Sequence, residues 1–469
     1  MSNRPSNGYT QRAIGCIVGS AVGDALGAPF EFGPAGQYSK RFPRAVHGGI
    51  GEMVGGGGFG WAPGQFTDDT EMAVVVAESL LACDGLDADD QLARFRAWGA
   101  KAIDVGNLTR TVLMSGLPAS EAAQSVVRSR HGRNTAGNGS LMRAAPGAVY
   151  FAGRGQQASA EAAVALSVVT HADPLCQWAV SIQHELVRIL LSGGTLETAL
   201  HSALGSLTPE ALSVYTPLLD PSWRPSADAP GNGSAMGALA QAVWSMRRAT
   251  SFADAITTVI DLGDDTDTVA AVTGTLAGAH FGIQAIPTRW LTYVHGLVTQ
   301  LDGTARRYDH LDLQNLAMSL IGRSPAADVA DEPSLAMSEV SAGLWATNRA
   351  GARSAPADAA LISLCRIDDS MRHPVRREIF LIDNDAEHNP SLAVAVDDAL
   401  DSIDALLAEG RQVVVHCHGG RSRTGLVLAA HLMRLGHSLE EATALLADRW
   451  PHAHTNNKAF AAELHRRSK

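Results

Sequence analysis

At 469 residues the chain is too long for one compact core, so two or three domains are expected. It is 46% hydrophobic but only 5% aromatic, with 46 glycines, a composition that excludes a disordered chain and suits closely packed helices with small faces. A net charge of −11 argues against non-specific nucleic-acid binding and leaves room for cation binding.

The N-terminal "MSNRPSNGYTQRAIG" lacks the pattern of a signal peptide. No uninterrupted apolar run reads as long enough to span a bilayer, so a soluble cytoplasmic protein without membrane partners is expected. Cys16, Cys83, Cys176, Cys365 and Cys417 are scattered and odd in number, as in a chain of reduced thiols.

The first element, "GCIVGSAVGDALG", carries glycine at 15, 19, 23 and 27. Glycine at every fourth position lines one helix face, at roughly 1 kcal/mol per residue relative to alanine. A membrane dimer stripe has the same spacing, but Asp24 and Glu31 oppose it. The pattern predicts a buried helix whose backbone approaches a partner, and Gly274, Gly278 and Gly282 supply a matching row. Next, "GQFTDDTEM" sets Asp68 and Asp69 between Thr67 and Thr70 ahead of an apolar run. "EAAVALSVVTHA", "CQWAVSIQHELVRILLSG" and "AMGALAQAVWSMRRA" follow with helical spacing. "GDDTDT", Gly263 to Thr268, then precedes the second glycine row.

An acid at a helix start caps exposed N–H groups, worth about 1 kcal/mol or less. Capping needs one acceptor per helix, whereas each of these clusters offers two or three carboxylates and hydroxyls. Oxygen ligands without Cys or His suit Mg²⁺, Mn²⁺ or Ca²⁺. Two such cations would orient a vicinal diol and activate water.

"GSAVGDALGAPFE", "PGQFTDDTEM", "GNGSLMRAAP", "THADP" and "GDDTDTVAAVTGTLAGAHFG", in that order, resemble the ADP-ribosylglycohydrolase family across about residues 11–320. The resemblance implies an all-α domain, residues 11–322, that uses Mg²⁺ or Mn²⁺, two per chain, to remove ADP-ribose from a modified protein or another ADP-ribose derivative. It implies metal ligands at Thr67, Asp68, Asp69, Asp265, Asp267 and Thr268. Glu31 would bind metal or gate the site, and Asp68 or Asp69 would help activate water. Gly137, Asn138, Gly139, Ser140 and His171 would surround the ADP-ribose. An alternative is a module that binds ADP-ribose, or a scaffold, regulating an active phosphatase.

"SPAADVADEPS" reads as a linker, with 323–334 as its bounds. Beyond it, in 335–469, "AALISLC", "EIFLID" and "RQVVVHC" are strand-like. "AVAVDDALDSIDALLAEG" and "TGLVLAAHLMRLG" are helical, so a small α/β domain with a central parallel-type sheet is expected.

In "VVVHCHGGRSRTG", Cys417 and Arg423 lie six positions apart across a glycine-rich turn into a helix. That spacing wraps backbone N–H groups around a tetrahedral anion, activates a thiol and supplies a planar fork for phosphate. A relative that only binds phosphate shares the pattern. With "SAGLWATN", "LISLCR", "IFLIDND" and "DRWPHAHTNNKAFAAEL", the stretch resembles the dual-specificity branch of the protein tyrosine phosphatases. The resemblance implies a phosphorylated substrate, Cys417 as nucleophile and Arg423 as phosphate ligand. His418, Gly419, Gly420, Arg421, Ser422 and Thr424 would complete the phosphate loop, Thr424 helping the thiolate leave. By position the general acid is Asp385, with Asp383 second.

Overall fold

The two glycine rows meet. In the computed structural model, Gly15, Gly19, Gly23 and Gly27 lie on the helix Asn7–Gly27, and Gly274 and Gly278 on the helix Thr266–Phe281. A Cβ on Gly274 would stand 2.0 Å from the carbonyl oxygen of Gly19, and one on Gly278 only 1.9 Å from that of Gly15. The two backbones are therefore in direct contact over several turns, a closeness that a side chain at Gly274 or Gly278 would prevent. The Asn7–Phe30 stretch is long and apolar enough to cross a membrane by length and composition, contrary to the sequence reading, but 94% of its apolar window is buried. It serves as a core helix.

The structure describes residues 6–324, 330–367, 371–454 and 456–469. They form two compact units. The first takes the chain up to Arg44, Met53–Ile286 and the stretch from Tyr293; the second takes Ala45–Glu52, Pro287–Thr292 and the chain after Pro325. The two short segments lie within the stretch that the sequence reading gives to the first domain.

The first unit is helical. Its helices start where side-chain acceptors meet free N–H groups: Ser6 caps Asn7–Gly27, Thr67 caps Asp68–Ala82, Asp173 caps Pro174–Leu191 and Ser234 caps Ala235–Met246. The "EAAVALSVVTHA" pattern ends as a helix at Val168, leaving His171 in the following turn. One antiparallel hairpin, β1 (His295–Thr299) with β2 (Ala305–Asp309), joins the helices.

The second unit holds a five-stranded sheet of β3 (Ser338–Ser341), β4 (Leu344–Asn348), β5 (Ala360–Ser363), β6 (Arg376–Glu378) and β7 (Val413–Cys417), in the order β3-β4-β7-β5-β6. Only the β3–β4 pair is antiparallel. Central β7 is buried along its whole length, as parallel strands covered on both faces are. The helices Leu392–Ala408 and Ser422–Arg434 contribute to this unit's core. Of the expected strand "EIFLID" only the first residue, Glu378, belongs to β6; Ile379 adds one further bond to the Ser363 carbonyl.

At the β6 edge Arg377 is fully buried and donates to the carbonyls of His47 at 2.6 Å and Gly49 at 3.0 Å. Beside it, the Glu378 amide donates to Thr292 Oγ1 at 3.0 Å. Glu52 accepts from Arg289 Nε at 3.0 Å and Trp290 Nε1 at 2.6 Å, and Asp398 accepts from the Thr288 amide at 3.0 Å. These buried polar bonds make both short segments part of the second unit.

Candidate active sites

In the first unit, the Asn7–Gly27 helix passes through a short turn, Ala28–Phe30, to Glu31. The backbone beyond Glu31 is fixed by reciprocal bonds. Phe32 N–H donates to the Asp264 carbonyl at 2.7 Å, and Asp264 N–H to that of Gly33 at 3.0 Å. Phe32 and Asp264 both have a φ of +60°, a left-handed backbone that costs a side-chain residue of order 1 kcal/mol or more. The bridge sets Glu31 facing Asp265 and Asp267, and single carboxyl oxygens of the three lie within 4.8 Å of one another.

Asp68 and Asp69 occupy the first turn of the helix capped by Thr67. Asp69 Oδ2 accepts from Thr67 Oγ1 at 3.4 Å and from Thr268 Oγ1 at 3.3 Å, which joins the two acidic clusters. Asp69 Oδ1 and Glu31 Oε2 are buried without a hydrogen-bond partner. Burial, then the neighbouring carboxylates, pushes Asp68, Asp69 and Asp267 well above the usual carboxylate range. Glu31 rises to about 8 through burial and through Asp104, Asp265 and Asp24. Such crowding of acids stores repulsion that a cation relieves.

Asp24 is also buried, but its oxygens are taken. It accepts from the Thr67 amide at 3.0 and 3.1 Å, the Thr70 amide at 3.0 Å and Thr70 Oγ1 at 2.5 Å. It therefore caps the Asp68–Ala82 helix from another element and fixes the direction of Asp68 and Asp69. The sequence marks no role for Asp24 and none for Asn232. The one available signal was general: a buried helix start needs more acceptors than its own N-cap provides.

The Gly137–Ser140 stretch reaches the acids through Asn138, whose Nδ2 donates to Asp265 Oδ2 at 2.9 Å and to the Asn232 carbonyl at 2.8 Å. Asn232 in turn accepts from the Asp265 amide and donates to the Gly263 carbonyl. His171 lies beneath this stretch, 2% exposed, where a Cβ on Gly139 would be 2.8 Å from its ring. Arg143 donates to Thr170 Oγ1 at 2.7 Å, so the Thr170 hydroxyl proton points to His171 Nδ1, 2.8 Å away. Burial and Arg143 push the imidazole down to about 3, so it is neutral. His171 supports the loop from behind.

In the second unit, β7 ends at Cys417, which is 2% exposed, and the loop turns through Gly420 with φ +67° into the Ser422–Arg434 helix. Any side chain at Gly420 would meet the Thr347 carbonyl oxygen at 2.8 Å. Trp450 Nε1 donates to the Gly420 carbonyl at 2.7 Å and pins the turn. Arg423 donates from one terminal nitrogen to the Leu364 carbonyl at 2.8 Å, while its Nε and Thr424 Oγ1 are buried without partners. Beneath the loop, His416 Nε2 meets Ser363 Oγ at 2.8 Å and burial pushes the ring down to about 3.

Of the two aspartates considered as general acid, Asp383 meets the loop: its Oδ1 accepts from Ser422 Oγ at 2.9 Å and from Asn457 Nδ2 at 3.0 Å. Asp385, the first choice by position, instead caps the short turn Ala386–His388, is 62% exposed and pairs with His388 Nδ1 at 2.6 Å. The His388 bond holds it below the usual carboxylate range.

Residues 5–329 match the family model described as ADP-ribosylglycohydrolase, and residues 360–468 match the dual specificity phosphatase catalytic domain. An ADP-ribosylarginine hydrolase, Tri1, of Pseudomonas putida is 31% identical over 332 residues, covering 68% of this chain and 80% of that protein. The ADP-ribosyl-[dinitrogen reductase] glycohydrolase of Rhodospirillum rubrum is 31% identical over 284 residues, covering 60% of this chain and 89% of its own. A solved ADP-ribosylglycohydrolase-related protein complex superposes with a TM-score of 0.54 at 32% identity, covering 67% of this chain and 99% of the other.

Proposed function

The chain belongs to the ADP-ribosylglycohydrolase family and carries a C-terminal dual specificity phosphatase domain; from this we propose that it is a bifunctional hydrolase. One activity would free ADP-ribose from modified arginine with the aid of a divalent cation, and the other would hydrolyse phosphate monoesters at Cys417.

The carrying observation for the first activity is the convergence of Glu31, Asp265 and Asp267. With the partnerless oxygens of Asp69 and Glu31, they form an all-oxygen donor set that fits Mg²⁺ or Mn²⁺, with Thr67, Asp68 and Thr268 beside them. A divalent cation held by these residues would supply Lewis-acid chemistry. Asp24 and Asn138 hold the acids in place, and Asp68 or Asp69 accepts a proton from water. The carboxylate cluster steadies the positive charge that develops on the ribose as the glycosidic bond breaks. Arginine as acceptor rests on the names of the relatives. The test is release of ADP-ribose from ADP-ribosyl-arginine with Mg²⁺ or Mn²⁺. EDTA and Asp267→Ala should each abolish it, and full activity in EDTA would end the proposal.

For the second activity, the buried Arg423 Nε and Thr424 Oγ1 support an anion cradle at the mouth of the helix. Cys417 Sγ would attack phosphorus while the ester P–O bond breaks and the leaving oxygen takes a proton from Asp383. Water then hydrolyses the phosphocysteine, Thr424 donating to the departing sulfur. Cys417→Ser should remove phosphatase activity and leave ADP-ribose release intact.

A further inference from the structure

Two acids of the bridging stretch reach the rim of the Cys417 loop. Asp331 accepts from Arg349 Nε at 2.5 Å and also pairs with Arg353. Glu332 accepts from Arg421 at 2.6 Å, and its other oxygen lies 3.9 Å from His418 Nδ1. That oxygen would be 2.9 Å from a Cβ on Gly419, within the loop itself. His418 Nε2 lies 3.0 Å from the Ala330 carbonyl, and the Arg349 amide donates to the His418 carbonyl at 3.2 Å. Asn348, at the end of β4 opposite Cys417, holds the next residues through the Pro333 carbonyl at 2.8 Å and the Leu335 amide at 3.1 Å.

Adjacent carboxylates thus pair with three arginines, with His418 beside them, next to a loop shaped for phosphate. Packing does not require the Arg421–Glu332 pair, since 52% of the Arg421 side chain and 34% of the Glu332 side chain are exposed, whereas the Arg349–Asp331 pair is more enclosed. A pair as exposed as Arg421–Glu332 is weak, so an external anion can replace it there. Two linked phosphates carry the same double charge as the Asp331–Glu332 pair and match the forks of three arginines more closely.

We propose that Arg349, Arg353, His418 and Arg421 form a second anion subsite beside the Cys417 cradle. Asp331 and Glu332 fill it in cis, and it receives the further phosphate of a substrate carrying a diphosphate or a second phosphate group. The inference rests on the phosphatase reading for the cradle; Arg349 and Arg353 lie outside the loop, whereas His418 and Arg421 belong to it.

The test is calorimetric titration of full-length protein carrying Cys417→Ser with inorganic phosphate and with pyrophosphate at low salt. Adding Asp331→Asn and Glu332→Gln should tighten pyrophosphate by about tenfold or more and phosphate by no more than about twofold, because only pyrophosphate spans both places. Arg421→Ala in that background should cancel the gain; Glu332→Gln alone should give part of it. An equal gain for both anions, no gain, or a gain that survives Arg421→Ala would overturn the subsite. Phosphate that binds, is lost with Arg423→Ala, and shows no pyrophosphate preference sinks the subsite alone. Failure of every variant to bind either anion sinks the cradle with it. Melting curves confirm that each variant is folded.

Discussion

Replacing Gly274 with alanine places a methyl 2.0 Å from the Gly19 carbonyl oxygen, in a contact that is backbone on both sides. No side chain can swing away, so the helices must part by roughly 1.4 Å to reach ordinary contact at 3.4 Å. Overpacking costs about 1–3 kcal/mol, and the upper end applies because parting also loosens the Gly15–Gly278 and Gly23–Ala270 contacts. Alanine returns about 1 kcal/mol through helix propensity, leaving a net loss of about 2 kcal/mol. In a unit of about 310 residues, with an unfolding entropy of about 2.1 cal/mol/K per residue, that lowers the melting temperature by about 3 °C. Thr266 to Thr268 sit on the same helix, so ADP-ribose release should fall as well. The control is Gly205→Ala, a helical glycine with nothing within 4 Å of its added Cβ, which should be neutral or slightly stabilising. The comparison is read by calorimetric melting of both variants. A Gly274→Ala protein that melts at or above the wild type would refute the idea that these glycines exist to allow backbone contact.

Other outcomes follow from the same geometry. Mg²⁺ or Mn²⁺ at about 100 times its dissociation constant should add about 2.7 kcal/mol to the first unit's stability, and Asp267→Ala should lose this shift in a melting assay. Asp383→Asn should lower phosphatase kcat by about 10²–10⁴-fold while Asp385→Asn leaves it within a few-fold; the reverse order would return the acid role to Asp385. Arg377→Ala strands the His47 and Gly49 carbonyls and should destabilise the second unit by about 2–4 kcal/mol, seen as a lower transition in urea. Burial holds His184 down to about 4, with its Nδ1 3.1 Å from the Ser159 carbonyl. Its neutral form therefore contributes stability that is present above pH 6.5 and lost as pH falls towards 4, because the unfolded chain then binds the extra proton. His184→Gln should flatten the pH dependence in that window by at most on the order of 3 kcal/mol, measured as the difference from wild type.

The glycine rows were legible because their spacing has one physical use in a soluble core, and the structure puts Gly15 and Gly19 against Gly278 and Gly274. The Cys417 loop was legible because its residues are contiguous. Features made by distant partners were not. Asp24 serves the start of a helix more than forty positions away, and Asn232 works through Asp265, so no local pattern marks either. Asp385 and Asp383 differ by two positions in a loop, where spacing carries little information about direction; their hydrogen bonds separate them. The second unit's claim on 45–52 and 287–292 is equally silent in composition, since both segments contribute carbonyls, an amide and single buried side chains rather than a strand.

The Arg377 bonds have a consequence for how the protein is made. Its guanidinium leaves the ribosome 330 residues after the His47 carbonyl it must find. At roughly 5–20 residues per second, that interval is on the order of 15–65 s. Until Arg377 emerges, the bond from its guanidinium to the His47 carbonyl cannot form, and this edge of the second unit stays incomplete. Faster synthesis therefore shortens the time for which this edge of the second unit is incomplete.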